Sequence, residues 1–431
     1  MAPKNILAWD DDPASVDGHR PEPRAPAILG KMPLPVRISG TAPQPGEYGT
    51  DTAEFRHWAA ADALARAVLY WQPLVPKRTK WQTGSPLPVH LDAGVDLNAY
   101  YARGGYGYDA GLSFFHDVVA GRSVYSGESP DIVTHELGHA MLDAIRPELW
   151  DTATIEAAAL HESFGDISAV VSGLQLPSLR EAVLRDTGHR VYRSSRVSRL
   201  AEQMGWAVRH FDPASAEPDC LRNAVNSFFY RDPETLPPTA PVTLLSSEPH
   251  SFSRVFTAAF VEMLAGMFIV AGEKNGEEKE LLEASRDAGQ ILVEAILAAP
   301  IIPDYFRSIA AYCVKADEKR YRKKYRDVVQ GAFVRRGILP LDSRAKPLTR
   351  RKVGRCVIRR RRYGISEPVV VMAPDVRAAE CFFEDLVCRG RLDLGAAAGN
   401  ADAMVWQPYI RKTHILVREN GELVLRRRMF D

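Results

Sequence analysis

Residues 131–145 read DIVTHELGHAMLDAI, and the fold turns on what two histidines four apart, with a glutamate after the first, are doing there. On a helix, residues four apart share a face, so His135 and His139 can offer two imidazoles to one ion. Zinc takes about four ligands in a tetrahedron, and catalytic sites keep one position for water. Glu136, one step round the helix, can lie beside that water and take its proton, which is the metalloprotease reading of the pattern. The same pattern also arises by chance on helices exposed to solvent. Here Ile132, Val133, Leu137, Ala140, Met141, Ala144 and Ile145 surround it. The helix is therefore expected to be buried, and burying two imidazoles and a carboxylate without partners is costly. Just upstream, Ser129 suits a helix cap and Pro130 the first helical position, and Asp131 favours the positive end of the helix dipole.

A third ligand should lie elsewhere. The stretch AALHESFGDISAVV places Glu162 on another helical pattern, with Asp166 four residues on and on the same face. A metal-bound histidine usually gives its other N–H to a carboxylate, so Glu162 as ligand and Asp166 as its supporting carboxylate form a coherent pair. The competing reading is an ordinary exposed acidic face, and the flanking Phe164, Ile167, Val170 and Val171 argue for burial instead. His161 is a rival ligand.

With these residues in order, residues 50 to 340 resemble the thermolysin-type zinc metallopeptidases, whose third ligand is a glutamate on the helix after HExxH. Two later segments carry the likeness further. CLRNAVNSFFYRDPETLP is similar to the family segment whose arginine holds the substrate carbonyl, which implies that role for Arg222. EPHSFSRVFTAAF resembles the family's histidine motif and implies that His250 donates to the oxyanion, with Ser253 three residues on. Upstream, LNAYYARGGYGYDAGLSFF resembles the edge strand that pairs with substrate backbone, with Asn98 and Ala99 at the matching positions.

The likeness has departures. Trp150 stands where the family has a tyrosine that helps hold the oxyanion, and Glu248 stands in for the usual aspartate before the histidine. Asp131 matches one ligand of the family's structural calcium, but Gly173 falls where a glutamate ligand would be, so calcium is doubtful.

The rest of the 431 residues bounds this reading. The length suits two or three packed lobes. Net charge is +1, with a quarter of the residues charged and nearly half apolar, as in a soluble globular protein with no global field toward nucleic acid or membrane. The N-terminal stretch has no basic start followed by an apolar run, and the apolar stretch 260–271 is interrupted by Glu262 and too short to span a bilayer. Five irregularly spaced cysteines suit free thiols in a reducing compartment. A cytoplasmic location is expected, with export by a route needing no classical signal left open.

Four regions are expected. Residues 1–50, rich in Pro, Gly and Asp, read as an extended, loosely attached arm. Residues 51–150 hold an amphipathic helix (Phe55, Trp58, Ala59, Leu64, Val68, Leu69 inward), strands with glycine-rich turns, and the HExxH helix. Residues 151–346 are mainly helical, with helices near 152–174, 178–186, 196–210, 251–272, 277–298, 303–315 and 317–335. Residues 347–431 read as a small basic α+β appendage outside the family pattern, with Asn420-Gly421 marking a hairpin. The fold class is thus α+β: a thermolysin-like two-lobed body, the active-site helix between a β-containing N-terminal lobe and a mainly α C-terminal lobe, plus the appendage.

The functional expectation is a zinc-dependent endopeptidase with one catalytic zinc on His135, His139 and Glu162. Glu136 is the general base, His250 the oxyanion donor and Asp166 the residue orienting His135. Arg222, Asn98 and Ala99 bind substrate, a peptide or protein cleaved before a bulky apolar residue. The alternative is a latent or catalytically weak zinc-binding homologue that acts as a peptide-binding module. No membrane partner is expected. Nucleic acid is not expected either, although ten basic residues and no acidic one between Arg344 and Arg362 are the feature that would bind it. A structural strand through Val353, Val357 and Ile358 is the favoured reading of that stretch. Gly104, Gly105 and Gly107 lack the strand–helix context of a phosphate loop.

Overall fold

The HExxH stretch lies at the centre of a mixed α+β fold. The computed structural model describes residues 5–16, 18–273, 276–341, 353–359, 365–395 and 411–431. In chain order come β1 (Ile6–Ala8), β2 (Glu22–Arg24), β3 (Val36–Ile38), α1 (Ala53–Trp71), β4 (Leu87–His90), β5 (Ala99–Ala102), β6 (Gly111–Phe114), β7 (His116–Val119) and β8 (Arg122–Tyr125). The helical stretch follows: α2 (Pro130–Ile145), α3 (Ile155–Gly173), α4 (Pro177–Thr187), β9 (Arg199–Leu200), α5 (Glu202–Phe211), β10 (Arg222–Asn223), α6 (Pro249–Gly272), α7 (Glu278–Ala298), α8 (Tyr305–Arg320) and α9 (Arg326–Arg335). Last are β11 (Gly354–Ile358), β12 (Val369–Ala373), α10 (Val376–Cys388), β13 (Leu392–Asp393), β14 (His414–Glu419) and β15 (Glu422–Arg427).

A four-stranded sheet in the order β3-β4-β6-β5 packs beside α2 and leaves β5 at its edge. The glycines at 104, 105 and 107 take positive φ in the turn from β5 to β6, a backbone role that L side chains resist. Helices α2 and α3 meet at two glycines. A Cβ added at Gly138 would lie 2.9 Å from the Cα of Gly165, and one added at Gly165 would lie 2.6 Å from the His135 ring. Glycine at both positions is what lets the two helices approach closely enough to share a site. Helix α6, apolar enough and long enough by composition to cross a membrane, is mostly buried and runs through the core against α3, α7 and α9. The appendage is a five-stranded sheet in the order β11-β12-β15-β14-β13, and Asn420 and Gly421 take positive φ in the expected hairpin. Trp58, Trp71 and Trp81 are core residues, and none of the five cysteines is paired.

Several expectations need correction. The arm is not loosely attached. Strand β3 joins the main sheet, and Asp10, Asp11 and Asp12 are each 6% exposed or less. Asp11 takes a two-pronged bond from Arg196, and Ser178 donates to Asp10 at 2.6 Å. Leu69, read as inward, is 62% exposed. The helix expected at 196–210 starts only at Glu202, since β9 pairs with β10 first. The break between the last two helices falls at 321–325 rather than at 316. Arg322 and Lys323 take left-handed backbone there, and the buried Asp317 accepts the Tyr325 amide. Ser129 precedes α2 without capping it. Its hydroxyl donates instead to Asp12 at 2.7 Å. Of the basic stretch 344–362, residues 354–358 form the edge strand β11; residues 344–352 and 360–362 lie outside the described residues.

Candidate metal and peptide site

His135 and His139 project from one face of α2 and meet Glu162, which α3 presents opposite. The Nε2 of His135 lies 3.4 Å from Glu162 Oε2, and the Nε2 of His139 lies 3.6 Å from the same oxygen. Tetrahedral zinc with bonds of 2.0–2.2 Å sets its ligand atoms roughly 3.4 Å apart. Glu162 thus stands at ligand spacing from each histidine. Several polar atoms here also lack a hydrogen bond, although Glu162 Oε2 faces His250 Nε2 at 3.0 Å. Both ring nitrogens of His139, Glu162 Oε2 and Glu136 Oε2 are buried without a hydrogen bond, an arrangement that is costly unless something charged completes it. His135, Glu136 and His139 also present their ligand atoms within 4.8 Å of one another.

Support reaches His135 and Glu162, whereas neither ring nitrogen of His139 has a hydrogen-bond partner. Asp166 Oδ1 lies 3.0 Å from His135 Nδ1, fixing the ring so that Nε2 faces the site. Arg222 donates to both oxygens of Asp166, at 2.9 and 3.4 Å. Glu248 lies 2.9 Å from His250 Nδ1, taking the place that the sequence assigned it, and His250 Nε2 is 3.0 Å from Glu162 Oε2.

Electrostatics divide the groups. Burial works against a charged His135, but its bonds to Asp166 and Glu162 outweigh burial and hold its pKa at about 9. Burial dominates at His139 and lowers it to about 3, which leaves the neutral ring that ligates metal. Burial opposes the charge on Glu162, yet His250 and His139 hold that carboxylate well below its usual range. Burial raises Glu136 to about 8.

His135, Glu136 and His250 line a cleft of about 590 Å³, whereas His139 and Glu162 are buried and do not line it. Asn98, Ala99, His135, Glu136, Asp166, Arg222 and His250 all line it, so one wall gathers most of the residues singled out from sequence. The lining also includes the apolar Ile132, Leu200, Met204, Val208 and Leu221. Asn98 folds its own Oδ1 onto the Ala99 amide. His161 stacks beside His139 with ring centroids 5.8 Å apart but is not among the residues whose ligand atoms converge with His135 and His139. Its nitrogens are unpartnered and its ring stacks on Phe430 with centroids 3.9 Å apart. Trp150 packs edge-on against Phe430 and Tyr101, with Arg103 over its ring.

Sequence reasoning missed two things here. The appendage supplies Arg391, Arg411 and Asp431 to the cleft wall. Asp143, one turn beyond His139 and fully buried, takes bonds from Tyr101 and Arg103 and so ties α2 to β5. The aspartate four residues after His139 was the readable signal for the second; the first had none.

A second carboxylate group, Asp12, Asp131 and Glu202, sits at the start of α2 with its oxygens close enough to hold a cation. Neither oxygen of Glu202 has a hydrogen-bond partner. Burial, with Asp12 and Asp131 nearby, raises the Glu202 pKa to about 10. The folded protein thus keeps a proton there that the unfolded chain loses near its ordinary value of 4.5. The sign follows: stability is greatest below that ordinary value and falls as pH rises through about 10, by at most about 1.4 kcal/mol per pH unit. Denaturant unfolding in chelator from pH 5 to 10 should show this decline, and Glu202→Gln should make it shallower, with Asp131 and Asp12, which burial also raises, contributing the rest. Equal slopes in both proteins would mean that Glu202 is not the group that titrates.

No protein-family model matches the chain, and no curated protein matches it.

Proposed function

We propose that the chain is a zinc-dependent endopeptidase of thermolysin-like, two-lobed build, acting on peptides or proteins. The observation that carries this reading is the trio of nitrogen and oxygen donors on α2 and α3. Glu162 stands 3.4 and 3.6 Å from the Nε2 atoms of His135 and His139, both nitrogens of His139 are buried without a hydrogen bond, and His135 and Glu136 line a peptide-sized cleft. His135, His139 and Glu162 would hold the ion. Bound Zn²⁺ would supply Lewis acidity toward water and a peptide carbonyl, and positive charge that returns Glu136 to its ionised form.

Glu136 then accepts a proton from the attacking water and returns it to the leaving amine. His250 is oriented by Glu248, which lies 2.9 Å from its Nδ1. It donates toward the oxygen on which negative charge develops. Arg222, held by Asp166, faces the substrate carbonyl beyond the cut. The apolar residues of the cleft lining would accept a bulky apolar side chain, which supports cleavage before Leu or Phe.

The test is metal content of wild type beside His139→Ala and Glu162→Ala, with a peptide-library digest on the same samples. The expected result is about one zinc per chain, lost in both variants, with chelator-sensitive cleavage. Zinc without cleavage would favour the second reading, a latent peptide-binding homologue. That reading draws on Trp150 standing where an oxyanion-holding tyrosine is expected. Absence of zinc would end both.

A further inference from the structure

Strand β5 is the outer strand of the main sheet, bonded on one side to β6. Its other side should offer free backbone groups to an extended peptide. At Tyr101 those groups are already taken. The Tyr101 amide donates to the Phe430 carbonyl at 2.9 Å, and the Phe430 amide donates back at 2.9 Å. This is an antiparallel bridge between β5 and a segment 329 positions further on (430 − 101). It rests on the peptidase reading that this edge is where substrate backbone belongs.

The segment is seated by more than backbone. Side chains alternate across a strand, and here they fill both faces. Met429, fully buried, packs with Tyr100, Ala102 and Phe115. Phe430, 2% exposed, goes to the other face, where it stacks on His139 at 5.1 Å and on His161 at 3.9 Å, with Arg427 over its ring. Antiparallel register brings Asp431 level with Tyr100, one step short of Ala99. There it joins the cleft wall with Glu136 and pairs with Arg391 at 2.6 Å. The appendage holds the strap from behind: Arg428 bonds to Asp393, and the Arg427 Nε donates to the Trp150 carbonyl.

We propose that residues 428–431 are an intramolecular occupant of the substrate edge, so that the enzyme as folded is autoinhibited on the acyl side of the cut. An extended substrate must lift Phe430 from its aromatic slot before it can pair with β5. The slot itself is then a subsite for an aromatic side chain, formed by His139, His161 and Trp150.

The experiment compares the full chain, a variant truncated after Arg427 and the full chain with Phe430→Ala. A fluorescein-labelled peptide of sequence RRMFD is titrated into each, in EDTA, and read by anisotropy. The truncated protein should bind at least tenfold tighter than the full chain, with Phe430→Ala between them. The peptide with alanine for phenylalanine should bind at least tenfold weaker to the truncated protein. With zinc restored, kcat/KM on a library substrate should rise at least tenfold on truncation. Equal binding to full and truncated chains, or none to either, would overturn the proposal. So would turnover that falls on truncation while zinc is retained, because the strap would then be building the site. Should truncation prevent folding, Phe430→Ala alone decides: unchanged peptide binding overturns the proposal. Loss of zinc or turnover in every form counts against the peptidase reading, and the binding comparison in EDTA still judges the strap.

Discussion

Glu136→Gln should lower turnover by roughly 10²–10⁴-fold while leaving zinc content at one per chain. Glutamine keeps the size and the carbonyl of the side chain but cannot accept the proton of an attacking water. Glu136 is 3% exposed, and Glu162, not Glu136, lies within 3.6 Å of both His135 and His139 Nε2, so the substitution removes the base without removing a metal ligand. Peptide hydrolysis and metal analysis on one preparation check both halves. Turnover at the wild-type rate would show that the proton goes elsewhere, and loss of zinc would make Glu136 a ligand.

The second large effect comes from a residue with no side chain. Gly165→Ala should weaken zinc binding by about 100-fold, the upper end of what losing a ligand's supporting contact costs. It should also destabilise the fold by roughly 1–3 kcal/mol, the usual cost of overpacking. The new methyl would lie 2.6 Å from the His135 ring, a distance real Cβ atoms essentially never show. The ring cannot retreat without leaving Asp166 at 3.0 Å. The helices cannot part freely either, because α2 and α3 form the most extensive helix pair in the structure. Competition with a chelating dye measures the affinity, and thermal unfolding the stability. Wild-type affinity in this variant would mean that the helices yield more readily than their packing suggests.

The parts of the site legible in sequence were those written at helical spacing. His135, His139, Glu162 and Asp166 come from two helices whose periodicity fixes which residues share a face. Only the meeting of the two faces had to be inferred. Arg222 and His250 sit outside any such period and were reached through resemblance alone. What stayed hidden depends on tertiary pairing. RRRMF carries no sign that Phe430 will lie against Tyr101, and the acidic run at 10–12 reads as a solvated lead-in until Arg196, Ser178 and Ser129 surround it. The helix break at 321–325 was missed for a related reason. A run rich in Lys and Arg favours helix locally, and the buried Asp317 overrides it by bonding the Tyr325 amide.

That acidic run also bears on how the molecule is made. Asp12 waits for Ser129, 117 positions later, and for the Gln203 amide, 191 positions later; Asp11 waits for Arg196, 185 positions later. At about 5–20 residues per second, roughly 10–40 s pass on the ribosome between the synthesis of Asp12 and that of its last partner. Through that interval these carboxylates lack those partners, although β1 already has β2 beside it and the Asp10 carbonyl already has Arg66 of α1. The contacts of Asp11 with Arg196 and of Asp12 with the Gln203 amide close only after α4 has been synthesised, later than the short-range pairing around them.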